Sequence, residues 1–208
     1  MAINVTWDYI DETSFAAETP EAARAVAEQF VALARDPETV YEEDTSPAGL
    51  LITASECFYD ANDPLQAYEA AREAQEAEGE AAPDKRVYLL DALLRTGQEA
   101  EATQLADEIR AEKLTDPLIY SFIGDSYDVV GNNHQAQVWF NRGIRMMDEL
   151  IKDSDGYEPE EVAEMLEDRE ILILGRQLVR SEAGLEPDDL DHEALEILAS
   201  HEDDEETE

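Results

Sequence analysis

Few residues in this chain are of a type and spacing that could do chemistry. His134, His192 and His201 are scattered, and none has a companion at metal-ligand spacing. His192 lies near Asp188, Asp189 and Asp191, a grouping that carboxylates at a helix start explain better than a metal. The run Asp153-Ser-Asp155-Gly156-Tyr-Glu158 has the first acids of a calcium loop, and Glu164 falls at its twelfth position. The sixth position needs glycine for the sharp turn, however, and Glu158 stands there with Pro159 behind it. Cys57 is the only cysteine, so neither an intrachain disulfide nor a cysteine-rich zinc site can form. Arg169, Arg176 and Arg180 lie on one face of a helix, either pairing with acids of the preceding hairpin or forming an anion site. No glycine-rich phosphate loop, nucleophile elbow or zinc-binding His-Glu-x-x-His helix occurs. The reading is of a chain with no enzymatic activity, no cofactor and no metal.

Charge narrows the partners. Asp and Glu number 53 against 14 Lys and Arg, a formal net charge of −39. Such a field repels nucleic-acid phosphates and anionic membrane surfaces and attracts basic polypeptides. General acidity also serves solubility alone, and the two explanations stand side by side at this stage. Hydrophobic residues make up 43% of the chain, enough for a packed core. The opening residues show no signal peptide, and no uncharged apolar run approaches the roughly 18 residues of a membrane span. A cytoplasmic location is expected.

The elements that would position any site are helices. Thr19-Pro20, Ser46-Pro47, Asp63-Pro64 and Asp116-Pro117 each set a capping side chain before a proline, the signature of a helix start. Apolar residues then recur three and four apart. These signals predict helices over 20–35, 47–60, 64–78, 84–96, 98–112, 117–130, 133–151, 159–182 and 188–199. Ile3, Val5, Trp7 and Tyr9 alternate with polar residues in a strand period. The segment 1–18 is therefore expected as an arm, packed on the first helix or lying in its own or a neighbour's groove.

The helices repeat. With Asn62, Gly97 and Gly131 aligned, Ala67, Ala102 and Ala136 follow five residues later, at spacings of 35 and 34. Phe58, Leu93 and Tyr127 share one earlier register position, and Ser55, Leu90 and Gly124 another. The third copy reads Tyr120, Ile123, Gly124, Tyr127, Ala136, Phe140 and Gly143, large and small residues in an order that lets two helices approach closely. A helix–turn–helix period near 34 with this pattern resembles the tetratricopeptide repeat family. Copies one and two depart from it, with Ser55 and Leu90 at the small position and Ala71 and Ala106 at the aromatic one.

The resemblance implies an all-α fold, a right-handed superhelix of antiparallel helical hairpins. One repeat domain is expected over 19–199, with the best repeats at 48–82, 83–116 and 117–150 and a disordered acidic tail at 200–208. It also implies a concave groove lined by the first helix of each hairpin. The lining positions are Ile52, Glu56 and Tyr59, then Val87, Asp91 and Leu94, then Leu118, Ser121, Asp125 and Asp128. One register position reads Glu56, Asp91, Asp125, an acidic row suited to a Lys/Arg-bearing peptide with apolar anchors. The family's clamp for chaperone tails needs Lys, Arg and Asn at such positions, and none stands there. The function so implied is a protein-binding scaffold. The alternative is a self-associating structural protein, a homodimer joined through the arm or the repeat faces.

Overall fold

A computed structural model describes residues 3–42 and 44–205, with side chains through Ser200. The described chain is all-helical apart from two strands of two residues each. It divides into two compact units, Met1–Ala106 and Asp107–Glu208, where the sequence suggested one repeat domain. No helix among the described residues is long and apolar enough to cross a membrane.

The first unit begins with β1 (Asn4–Val5) and α1 (Trp7–Phe15), followed by α2 (Pro20–Arg35), β2 (Val40–Tyr41), α3 (Pro47–Asp60), α4 (Pro64–Glu76) and α5 (Lys85–Arg95). The helix α6 (Glu99–Glu112) crosses the boundary between the units. The capping signals hold: Thr19, Ser46 and Asp63 accept from the backbone N–H groups of Ala22, Gly49 and Gln66. The amino-terminal segment packs on α2, and most of it is helix where the alternation suggested a strand. Val5 and Ile10 are buried in one core with Ala27, Phe30, Leu50, Ala54 and Phe58. The strand period stops at Thr6, whose side chain accepts from the Tyr9 N–H and starts α1. The strand that remains, β1, pairs in parallel with β2, Asn4 opposite Val40 and Val5 opposite Tyr41. Val5 and Ile10 thus anchor this segment in the unit's core, while Trp7 and Phe15 stay exposed.

The second unit holds α7 (Pro117–Val129), α8 (Asn133–Lys152), α9 (Pro159–Glu182) and α10 (Asp189–Glu205). Its centre is Phe140, 1% exposed, between two glycines. A Cβ built on Gly124 of α7 would stand 2.7 Å from the ring, and one on Gly175 of α9 would stand 2.5 Å from it. Gly143 of α8 is as tight, with Tyr120 and Leu172 at 2.8 and 2.9 Å from its would-be Cβ. The small residues are therefore what allow α7, α8 and α9 to close on one another. The predicted disordered tail starts at residue 200, whereas the helix α10 continues to Glu205; residues 206–208 lie outside the described residues.

Three turns share one geometry. Asn62, Gly97 and Gly131 are left-handed, with φ of 55, 75 and 75°. Their N–H groups donate to Tyr59, Leu94 and Asp128 at 2.9, 3.0 and 2.7 Å. The next N–H groups, of Asp63, Gln98 and Asn132, donate to Phe58, Leu93 and Tyr127 at 2.9, 2.8 and 2.8 Å. This is the paired-bond C-terminal cap that a left-handed residue makes, three times over at the sequence spacing of 35 and 34. At the small position of the first copy, Ser55 is buried and its hydroxyl donates to the Ala67 carbonyl at 2.9 Å, so serine replaces glycine by bonding across the helix pair.

Candidate functional site

The structure divides the ten residues expected along a groove. Ile52, Val87, Asp91 and Leu94 are buried; Glu56, Leu118 and Asp125 are exposed; Tyr59, Ser121 and Asp128 are half-buried. Ile52 packs with Leu51 and Ala74 against Val31 and Ala34, so it belongs to the core of the first unit. The helix α5 buries Val87, Leu90, Ala92, Leu93 and Leu94, which spread round much of its circumference, and an interior helix has no open face there.

Asp91 differs most from its expected place. It is 6% exposed, and its carboxylate accepts from Arg95 Nε at 2.8 Å, one turn along the same helix. Arg95 also lies over the Tyr59 ring, 4.6 Å from its centroid. The buried Tyr59 hydroxyl meets no hydrogen-bond partner at good geometry. Loss of water first, and then the Asp91 charge, raise its pKa, with Arg95 opposing. Glu56 remains at the surface; the crowding around its carboxyl and the charges of Asp60 and Asp91 hold its pKa above the usual carboxylate range. The acidic row is therefore interrupted at its second member, which its own arginine neutralises.

The four positions on α7 are different. Leu118, Ser121, Asp125 and Asp128 follow one another at helical spacing and all reach solvent. Asp125 and Asp128 have no ion-pair partner among the described residues. Desolvation, helped by the Asp128 charge, pushes the Asp125 carboxyl up to about 6. Leu118 adds an exposed aliphatic side chain at one end.

A second acidic place escaped sequence reasoning. A cavity of about 1080 Å3 in the first unit is walled by Asp36, Glu42, Asp44, Glu76, Glu78 and Glu80. Its arginine, Arg35, already donates to both oxygens of Glu73 at 2.8 and 2.6 Å, which lowers the Glu73 pKa. Ser46 ties the cavity's loops together, donating to the Glu80 carbonyl at 3.0 Å while capping α3. The acids that wall it stand mostly in the loops 36–46 and 77–80, where no helical period marks a face.

The arginines of α9 pair mostly with α10. Arg169 bonds Asp148 of the preceding hairpin and Glu193 of α10. Arg176 and Arg180 share Asp188 and Asp191, while Asn141 accepts from Arg176 at 2.8 Å. Asp188 and Asp191 also accept from each other's N–H groups at the start of α10. The bond from Arg176 holds the Asp188 carboxyl down at about 2. No group of His, Cys, Asp and Glu among the described residues is arranged to hold a metal ion. No family model, curated protein or solved structure matches this chain.

Proposed function

We propose that the chain is an interaction scaffold built of tetratricopeptide-like hairpins in right-handed superhelical stacking, and that it binds a Lys/Arg-bearing polypeptide with apolar anchors. The observation that carries the reading is the open stripe on α7. There, Asp125 and Asp128 crowd each other without an answering cation, beside the exposed Leu118. A lysine or arginine placed between the two carboxylates would relieve that repulsion and gain charge-assisted hydrogen bonds. Three identical turns at a period near 34 support the repeat class, and the acid-walled cavity of the first unit supports a basic partner.

The test uses a fluorescent peptide of alternating lysine and leucine, read by anisotropy. Reversing Asp125 and Asp128 together to lysine is expected to weaken binding about tenfold or more, the loss of one or two charge-assisted bonds. Reversing Asp203 and Glu205 changes the net charge equally and is expected to change binding less than about twofold, because at a screening length of about 8 Å net charge alone adds little to a local contact. Equal losses in the two variants would reduce the effect to bulk charge and overturn the assignment to α7.

A further inference from the structure

With 14 cations among 53 acids, lysines and arginines are expected to be captured by neighbouring carboxylates. Arg35, Arg95, Arg169, Arg176 and Arg180 are. A pocket of about 610 Å3 in the second unit breaks that pattern. Its walls carry Arg110 and Lys113 from the end of α6 and Arg142 and Arg145 from α8. Arg110 reaches Asp107 at 3.1 Å on the surface. Lys113, Arg142 and Arg145 have no carboxylate at ion-pair distance among the described residues. Arg142 instead lies over the Trp139 ring, 5.0 Å from its centroid, and Arg145 Nε donates to the Asn141 carbonyl at 3.1 Å.

Like charges in a partly desolvated place oppose one another. Desolvation first, then the charges of Arg110 and Arg145, lower the Arg142 pKa, with the Asp107 charge opposing. The arrangement is rigid on one side, since the Tyr120 hydroxyl donates to the Leu114 carbonyl at 2.7 Å and holds the segment after α6 against α7. Leu114, Met146 and Leu150 add apolar side chains to the lining, which also includes Glu149 and Asp153.

We propose that this pocket binds a compact phosphorylated small molecule of two or more negative charges, its phosphate held by Arg110, Arg142 and Arg145 and its organic part lying on Leu114, Met146 and Leu150. Guanidinium groups arriving from two helices suit the tetrahedral acceptors of phosphate better than the flat pair of a carboxylate. The volume falls in the range of small-ligand sites, about 300–1,000 Å3. A long polyanion such as a nucleic acid or an acidic peptide would extend into the field of the remaining acids and be repelled, whereas a compact ion stays within the local screening length. The site uses none of the acids on which peptide binding rests, so either can fail without the other.

Titration calorimetry on the full chain at constant ionic strength, with pyrophosphate and phenyl phosphate as probes, tests the assignment. Each is expected to bind, and phenyl phosphate to bind more tightly than inorganic phosphate because its ring meets the apolar wall. Arg145→Gln, at an exposed position, is expected to weaken both probes about tenfold with an unchanged thermal melt. Arg142→Gln should weaken them at least as much. Absence of heat with both probes at about 10 mM, a range that detects binding of a few kcal/mol, would overturn the proposal. So would equal affinity in Arg145→Gln and the unaltered chain. Tighter binding of a tetraglutamate peptide than of either phosphate would overturn the ligand class.

Discussion

Replacing Gly124 by alanine should destabilise the second unit, although alanine is the better helix former. The substitution places a Cβ 2.7 Å from Phe140 Cε2 and 2.8 Å from Cζ, against an ordinary contact of at least 3.4 Å. The ring must therefore withdraw by about 0.7 Å, the difference between those two distances. It has nowhere to go, because its Cε1 edge already sits where a Cβ on Gly175 would be, at 2.5 Å. Overpacking of this kind costs about 1–3 kcal/mol, and the gain in helix propensity returns at most about 1. From the middle of the first range, about 2 kcal/mol, less at most about 1, the net loss is about 1–2 kcal/mol, a melting point lower by about 4–16 °C for a unit of about 100 residues. Calorimetry and circular dichroism on Gly124→Ala, Gly175→Ala and each in a Phe140→Leu background form the assay. In the Phe140→Leu background the glycine substitutions should cost little or nothing, a coupling that a double-mutant cycle reads directly. An unchanged melt in both single variants, or a cost that persists without the ring, would refute the account of Phe140 as the part that the glycines admit.

Two further outcomes follow from the charged groups. Replacing Arg176 and Arg180 together by methionine should destabilise by about 3–5 kcal/mol in a denaturant titration, because it removes both guanidinium partners of the Asp191 carboxylate, itself 5% exposed, at the junction of α9 and α10; a loss below about 1 kcal/mol would make the cluster dispensable. Asp125 carries its pKa up to about 6 in the folded chain, above its ordinary 3.8, so the folded state holds its proton more firmly and loses stability as pH rises between those values. The melting-point difference between Asp125→Asn and the unaltered chain should therefore grow in the variant's favour from pH 4 to pH 6.5, and a difference flat across that window would contradict the raised pKa.

Local signals carried much of the architecture. The helix starts at Pro20, Pro47, Pro64, Pro117 and Pro159 fall where caps and prolines placed them, and most ends lie within a few residues. Left-handed turns at Asn62, Gly97 and Gly131 were legible for the same reason, since the residue type and the backbone conformation are tied. What required distant partners was not legible. The pairing of Val5 with Tyr41 joins two-residue strands 36 positions apart, too short to leave a pattern. Trp7 and Tyr9 fitted a strand period that Thr6 cut short by capping α1. At the candidate site, register gives Asp91 and Asp125 equivalent positions. Only Arg95, one turn away, and the apolar circumference of α5 distinguish the buried, paired acid from the open one.

The three equal turns bear on how the chain reaches this structure. Each closes through hydrogen bonds between residues three and five apart, so its formation needs no segment outside its own hairpin. Short-range closure of this sort favours fast folding and lets a hairpin assemble as it leaves the ribosome, before the next has been synthesised. The parallel β1–β2 pairing is the contrast, because Val5 must wait for Tyr41. The amino-terminal pairing thus closes over 36 positions, against three to five in each turn.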